Sequence, residues 1–371
     1  MRETKQRSGV SAVVLAAGMS TRMGSIKQLL RIGNKTLLET VVDNLRSSRA
    51  GDIIVVLGGS AEEILQQVQL QNARIVVNEA YREGMGTSLR MGISAVSPQA
   101  EAALVVLADQ PFVLPGTIDH LIEQYCEHRP QIAIPMYRGF RGNPVLLDRS
   151  VFPELESLTG DIGCRAIFGA HTENILKVPL DDVGILLDVD TKADLERFLP
   201  GGARDGWAPV LLETADLERR NSGAPQLVVV GEDTVTTALA QFASLLHFTV
   251  TIVDPFLRIG DVPGADRILH ALDLARLPPA AETYIVVASR GRFDEEAVEQ
   301  ALSFGAAYVA LLANKTRARE ILVSLKTKGL SDEKLAKLRA PAGLDIGARS
   351  PEEIALSVMA EIVSERAKRP T

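Results

Sequence analysis

The sequence predicts two doubly wound α/β domains, and three observations lead there. Short, almost wholly apolar runs alternate with segments of helical periodicity from Val10 to about Pro200; the alternation lapses over 201–224; it restarts after Pro225. Strands alternating with helices argue for βαβ units on a parallel sheet. Helices on both faces require strands that are apolar throughout, as these are. With 371 residues, 46% of them hydrophobic, there is material for two cores. The expected division is a domain over 1–200, a linker over 201–224 and a smaller domain over 225–371.

Each element follows from its local pattern. Val10–Leu15 reads as a buried strand that turns on Ala16-Ala17-Gly18, and Leu37–Leu45 has helical spacing. Further strands are expected at Ile53–Leu57, Ile75–Val77, Ala102–Ala108, Ile132–Pro135 and Ile185–Val189. Helical patterns fall at Ala61–Val68, Thr87–Ala95, Thr117–Tyr125 and Lys192–Phe198. Gly201-Gly202, Trp207, Pro209 and the polar run Asp216–Ser222 mark the linker. Beyond it, strands are expected at Leu227–Val230, Val250–Val253, Tyr284–Ala288 and Tyr308–Leu312, with helices at Thr234–Leu246 and Asp294–Leu302. Pro351–Glu365 reads as a terminal helix, with Ser350 as N-cap and Pro351 in its first turn.

Composition narrows the function. A formal net charge of -7 provides no global field for nucleic acid or an anionic membrane. An anionic ligand must be met by a few placed cations. No apolar run approaches the roughly 20 residues that span a bilayer, and Met1–Arg7 is charged without a following signal-peptide core. Two cysteines, Cys126 and Cys164, make no disulfide framework and no metal motif, which points to a cytoplasmic protein with both thiols in the core. The five histidines are scattered without zinc or triad spacing.

The chemistry-bearing residues sit where strands end. After Val10–Leu15 the chain turns on small residues, and Arg22 and Lys27 follow at fixed offsets. Small residues let the backbone approach an anion, free N–H groups point at it, and the cations neutralise it. The spacing matches neither the dinucleotide fingerprint nor Walker A. Asp109 ends another strand before Gln110-Pro111, either as a cation ligand or as a turn aspartate. Asp188 and Asp190 end a third, and Asp190-Thr191 could equally cap the helix behind them. Few carboxylates together with phosphate oxygens suit Mg²⁺.

The loop LAAGMSTRMGSIKQLL resembles the signature of MobA-like nucleotidyltransferases. The resemblance continues through NEAYREGMGTSLRMG, Leu107–Pro111, Gly142-Asn143-Pro144, Gly160–Gly163 and Leu187–Thr191, and covers about residues 9–200. It implies a nucleotide-diphospho-sugar-transferase-like, Rossmann-like fold. In such enzymes an acceptor phosphate attacks the α-phosphorus of a nucleoside triphosphate and pyrophosphate leaves. Carried over, Leu15, Ala16, Ala17 and Gly18 hold base and sugar. Arg22 and Lys27 neutralise the triphosphate, and Gly86 and Ser88 face the base. Asp109 and Asp190 hold Mg²⁺ with Asp188 as helper, and Arg141, Gly142, Asn143 and Pro144 line the acceptor pocket. The Ala16-Ala17 pair is similar to the cytidylyltransferase branch, which implies CTP as substrate and a molybdopterin-type acceptor. GTP, another acceptor, or a non-catalytic cofactor carrier are the alternatives.

In the second domain Ile285–Leu302, Tyr308–Leu312 and Ala340–Ile362 resemble the Rossmann-like half of the XdhC/CoxI family, accessories of molybdenum hydroxylases. That implies a xanthine-dehydrogenase-type partner. The glycine turn departs from the family: Gly231-Glu232-Asp233 carries two acids, which would repel a dinucleotide pyrophosphate. Ala313-Asn314 stands where the family has Gly-Ser.

Overall fold

The structure is a computed structural model, and it describes residues 8–18, 26–158, 160, 163–191, 194–195, 224–257, 260–277 and 282–368, with the backbone alone of 212–214. The chain divides into two compact units, Met1–Tyr137 with Arg141–Gly206, and Arg138–Phe140 with Trp207–Thr371. Most of the expected linker lies outside the described residues.

In the first unit the central path of the sheet runs Ile175–Pro179, Ile132–Tyr137, Val145–Asp148, Ala102–Leu107, Val10–Ala16, Ile53–Leu57, Ala73–Val77. Val10–Ala16 lies between two parallel partners, with Leu15 opposite Val56 on one side and Leu107 on the other. Its side chains alternate as a strand requires. Val10, Ala12, Val14 and Ala16 join Leu38, Val41 and Leu121 in one core layer, while Val13 joins Leu89 and Ile93 in the other. Helix Leu37–Arg46 starts at a capping box, in which Thr36 Oγ1 accepts the Glu39 N–H and Glu39 takes the Thr36 N–H. Chain order reverses beside Val10–Ala16, so the carboxyl end of this strand is a topological switch point, where doubly wound sheets bind ligands.

Four expectations need correction. Val145–Asp148 is a strand, and it runs antiparallel to both neighbours, which makes the sheet mixed. Ile175–Pro179 adds a parallel edge strand. Ile185–Val189 is not a strand: Val183–Leu186 forms a 3-10 turn and Leu187–Asp190 has no regular structure. Asp182 caps that turn, and it passes so close to the preceding loop that a Cβ on Gly184 would lie 2.2 Å from the Phe112 carbonyl oxygen. Ile185, Leu186, Leu187 and Val189 are buried by that close passage rather than by sheet pairing. Cys126 lies exposed on helix Pro115–His128, against the expectation of a core position. Cys164 is buried, and burial pushes its thiol up to about 12.

The second unit carries strands in the order Leu212–Thr214, Arg267–Leu269, Thr249–Val253, Gln226–Val230, Thr283–Val287, Tyr308–Leu311, Leu338–Arg339. Neighbours are parallel except the first pair. Helix Pro351–Ala367 begins at a Ser350–Glu353 capping box and shares a core with Leu239, Ala240 and Ala243 of helix Thr234–Leu245. Asn314, in place of the family's serine, caps helix Lys315–Thr327. Among the described residues no helix is long and apolar enough to cross a membrane.

Candidate active site

The switch point of the first unit gathers an ammonium and two carboxylates. Leu15 carries its strand to the turn, and its carbonyl accepts the Ala108 N–H at 3.1 Å, which sets Asp109 beside that turn. Lys27 opens the 3-10 turn Lys27–Leu29. Its Nζ donates to Asp109 Oδ2 at 2.8 Å and to Asp190 Oδ1 at 2.5 Å. Burial pulls the Lys27 pKa down, but Asp109 and then Asp190 outweigh it and hold the ammonium above its ordinary value. The cation is therefore fixed through the neutral range. Asp109 Oδ1 is buried and has no hydrogen-bond partner among the described residues. Arg22 lies outside the described residues.

Two glutamines that sequence reasoning assigned no role tie this cluster together. Gln28 Nε2 donates to the carbonyls of Ala16 (2.8 Å) and Gly18 (3.4 Å), pinning the end of the loop to its beginning. Gln110 Nε2 donates to Asp188 Oδ1 at 2.7 Å and to the Ile185 carbonyl at 3.4 Å. Burial first, then the charges of Asp109 and Asp190, pushes the Asp188 carboxyl well above the usual range. Asp188 thus faces Gln110, whereas Asp190 faces Lys27. The Val189 N–H donates to the Asp109 carbonyl at 2.9 Å, which brings both acidic stretches to one place.

The remaining expected residues fall into two neighbouring networks. Ser88 is buried on helix Met85–Ser94, and its Oγ accepts from Asn78 Nδ2 at 2.9 Å. The Asn78 N–H in turn meets the carbonyl of Leu57, which pairs in register with Ala16. The Gly86 N–H donates to the Gly160 carbonyl at 2.9 Å. On the other side the Gly142 N–H donates to the Pro135 carbonyl and the Asn143 N–H to the Ile185 carbonyl, at 2.9 and 3.0 Å, so the segment leading into Pro144 abuts the turn that precedes Asp188. Arg141 is buried with its guanidinium 5.2 Å from the Phe168 ring centre.

Elsewhere in this unit a polar cleft of about 480 Å³ is lined by Arg31, Lys35, Asp43 and Arg46 among others. There Asp43 already pairs with Lys35 and Arg46, and the cleft includes none of the strand-end residues described above. Among the described residues no group of three or more His, Cys, Asp or Glu makes a ready metal cage. A hard cation at Asp109 and Asp190 would complete its shell with phosphate oxygens and water, the usual arrangement for Mg²⁺. The orphaned, buried Asp109 Oδ1 and the all-oxygen donor set fit such an ion.

The second unit also flanks its first parallel strand with a parallel partner on each side, but its strand ends carry different charges. Gly231, at φ +102°, ends strand Gln226–Val230, and a Cβ there would lie 2.5 Å from the Ser289 Cα. Asp233 caps helix Thr234–Leu245 and binds Arg290 at 2.5 Å. Burial raises the Asp233 pKa, but Arg290 outweighs it and holds the carboxyl below the usual range. Asp254 follows strand Thr249–Val253 and is 0% exposed. Its Oδ1 accepts the Phe256 N–H at 2.9 Å, and its Oδ2 stands 3.6 Å from Arg292. Burial, with a smaller push from Glu232, raises this acid to about 6 against the pull of Arg292.

Residues 12–175 match the MobA-like NTP transferase domain, and residues 227–362 match the XdhC Rossmann domain. The chain is 30% identical over 200 residues to the nicotine blue oxidoreductase of Paenarthrobacter nicotinovorans, covering 51% of this chain and 96% of that protein. It is 27% identical over 190 residues to the molybdenum cofactor cytidylyltransferase of Escherichia coli (strain K12), covering 50% and 94%. Uncharacterized protein YqeB of the same strain is 33% identical over 153 residues, and this chain spans 28% of its length.

Proposed function

The chain belongs to the MobA-like NTP transferase family and carries an XdhC Rossmann domain as well, and from that premise we propose that it transfers CMP from CTP to Mo-molybdopterin, releasing pyrophosphate, and that its second unit assists delivery of the product to a xanthine-dehydrogenase-type enzyme. The observation that carries this reading is the Lys27–Asp109–Asp190 cluster at a sheet switch point.

An oxygen of the acceptor phosphate forms the new bond to the α-phosphorus, and the bond between the α-phosphorus and its bridging oxygen to the β-phosphate breaks. The nucleophile is already an anion, so the site needs no general base, and the absence of a histidine from the cluster is no obstacle. The residues' work is positioning and charge neutralisation. Leu15, Ala16, Ala17 and Gly18 present backbone groups to base and ribose. Gly86 and Ser88 face the base. Lys27 exchanges its carboxylate partners for phosphate oxygens as the triphosphate enters, with Arg22 assisting. Gly142, Asn143 and Pro144 border the acceptor. Asp109 and Asp190 would hold Mg²⁺, which when bound supplies further neutralisation of the developing pyrophosphate charge. Ala16-Ala17 favours CTP over GTP.

A second reading is a non-catalytic cofactor carrier: a relative with 30% identity is named an oxidoreductase, so likeness within the family does not by itself fix nucleotide transfer. Pyrophosphate release from CTP and from GTP, with purified Mo-molybdopterin, separates the two. The transferase reading expects release with CTP that Lys27→Ala and Asp109→Ala lower by about a hundredfold or more. Tight cofactor binding with no release from either nucleotide supports the carrier.

A further inference from the structure

Asp182 belongs to none of the motifs, yet it is 7% exposed and accepts three hydrogen bonds. Its Oδ2 takes the Thr117 hydroxyl at 2.6 Å and the Leu114 N–H at 3.1 Å. Its Oδ1 takes the Gly184 N–H at 2.9 Å. The first two donors stand at the start of helix Pro115–His128, at the end of the loop that begins with Asp109. The third opens the turn that leads to Asp188 and Asp190. One buried carboxylate therefore joins the segment after one acid to the segment before the others. Losing it would strand two backbone N–H groups and a hydroxyl.

The register it sets is passed on. Past Gly184, the Ile185 carbonyl accepts from Gln110 and Asn143, and the Val189 N–H donates to the Asp109 carbonyl. These contacts leave Asp190 within 2.5 Å of the same ammonium that binds Asp109.

We infer that Asp182 is a positioning residue: it fixes the Val183–Asp190 loop against the Asp109 loop and so sets the geometry of the acids that Lys27 bridges. This rests on the reading above that those acids hold a divalent cation with the triphosphate. Residues supporting a metal site from outside its ligand shell typically alter affinity 10- to 100-fold.

The test uses the full chain as wild type, Asp182→Asn, Asp182→Ala and Thr117→Val. Mn²⁺ binding in the presence of CTP is measured by electron paramagnetic resonance, beside metal KM, kcat and unfolding temperature. The Mn²⁺ dissociation constant and the metal KM should rise together, about tenfold in Asp182→Ala. Thr117→Val, which removes one donor outside the cluster, should show a rise of roughly two- to threefold. Asp182→Asn, which keeps an oxygen for Gly184, should fall between them. With metal saturating, kcat should stay within about twofold, because Asp109 is held by its own strand. Unchanged Mn²⁺ affinity and metal KM in folded variants, with only the unfolding temperature lowered, would show a purely structural acid and overturn the inference. If Asp182→Ala does not fold, Thr117→Val decides. A wild type that binds Mn²⁺ with CTP but releases no pyrophosphate defeats the transferase reading alone, and the variants' Mn²⁺ affinities still decide the role of Asp182. A wild type that binds no Mn²⁺ with CTP defeats both.

Discussion

The two units each place acids and a cation at strand ends beside the first parallel strand of a doubly wound sheet, Asp109 after one flanking strand and Asp254 after the other, and reach opposite electrostatic results. In the first, Asp109 and Asp190 keep side-chain exposures of 31% and 69%, and a single ammonium bridges them. In the second, Asp254 is wholly buried, and the turn beside it carries Glu232 and Asp233, the latter already holding Arg290. A doubly wound sheet brings its strand ends together but does not choose the ligand; the residues on the adjoining turns do. Ala16-Ala17-Gly18 brings no charge of its own near Lys27, so an anion can take the ammonium from its carboxylates. Gly231-Glu232-Asp233 meets an anion with two negative charges.

The largest expected effect follows from that contrast. Lys27→Ala or Asp109→Ala should lower pyrophosphate release by about a hundred- to a thousandfold, the usual loss when one stabilising contact to developing charge is removed. The unfolding temperature should barely move, since both side chains are partly solvated. An equal loss in Asp254→Asn would erase the distinction between the units.

Asp254 should instead reveal itself through stability. Its folded pKa, about 6, lies above the unfolded value, so between roughly pH 4 and pH 6 the folded state binds more protons than the unfolded. Stability from this group is full below that window and is lost as pH rises through it. Asp254→Asn should therefore exceed wild type at pH 8, by on the order of 2–3 kcal/mol at most, with the gap closing by pH 4. Chemical denaturation across pH checks it, and a constant gap would mean that the acid's charge is not the cause.

The smallest effect concerns Lys27 as a stand-in cation. Without nucleotide its ammonium competes with a metal for Asp109 and Asp190. Lys27→Met should bind Mn²⁺ alone roughly tenfold more tightly than wild type, even though it turns over poorly. Equal affinities by calorimetry would move the metal elsewhere.

Much of this was legible in the sequence because it depends on local pattern. The apolar run at Val10–Leu15 and the cap at Ser350 were read within a residue or two of their places. The run at Ile185–Val189 misled because a short apolar stretch looks alike whether it joins a sheet or packs as a turn. The four-residue strand Val145–Asp148 carries too little pattern to announce its direction. Gln28 and Gln110 act through contacts that span the fold, and nothing beside them in the chain marks those contacts. Asp182 did leave a trace: an acid two residues before a glycine is a common turn opener.

Calorimetric titration of CTP with Mn²⁺ onto the full chain tests the central claim most directly. One site per chain is expected, lost in Lys27→Ala and unchanged in Asp254→Asn. Retention of that site in Lys27→Ala, or its loss in Asp254→Asn, would place the nucleotide in the wrong unit and contradict the account.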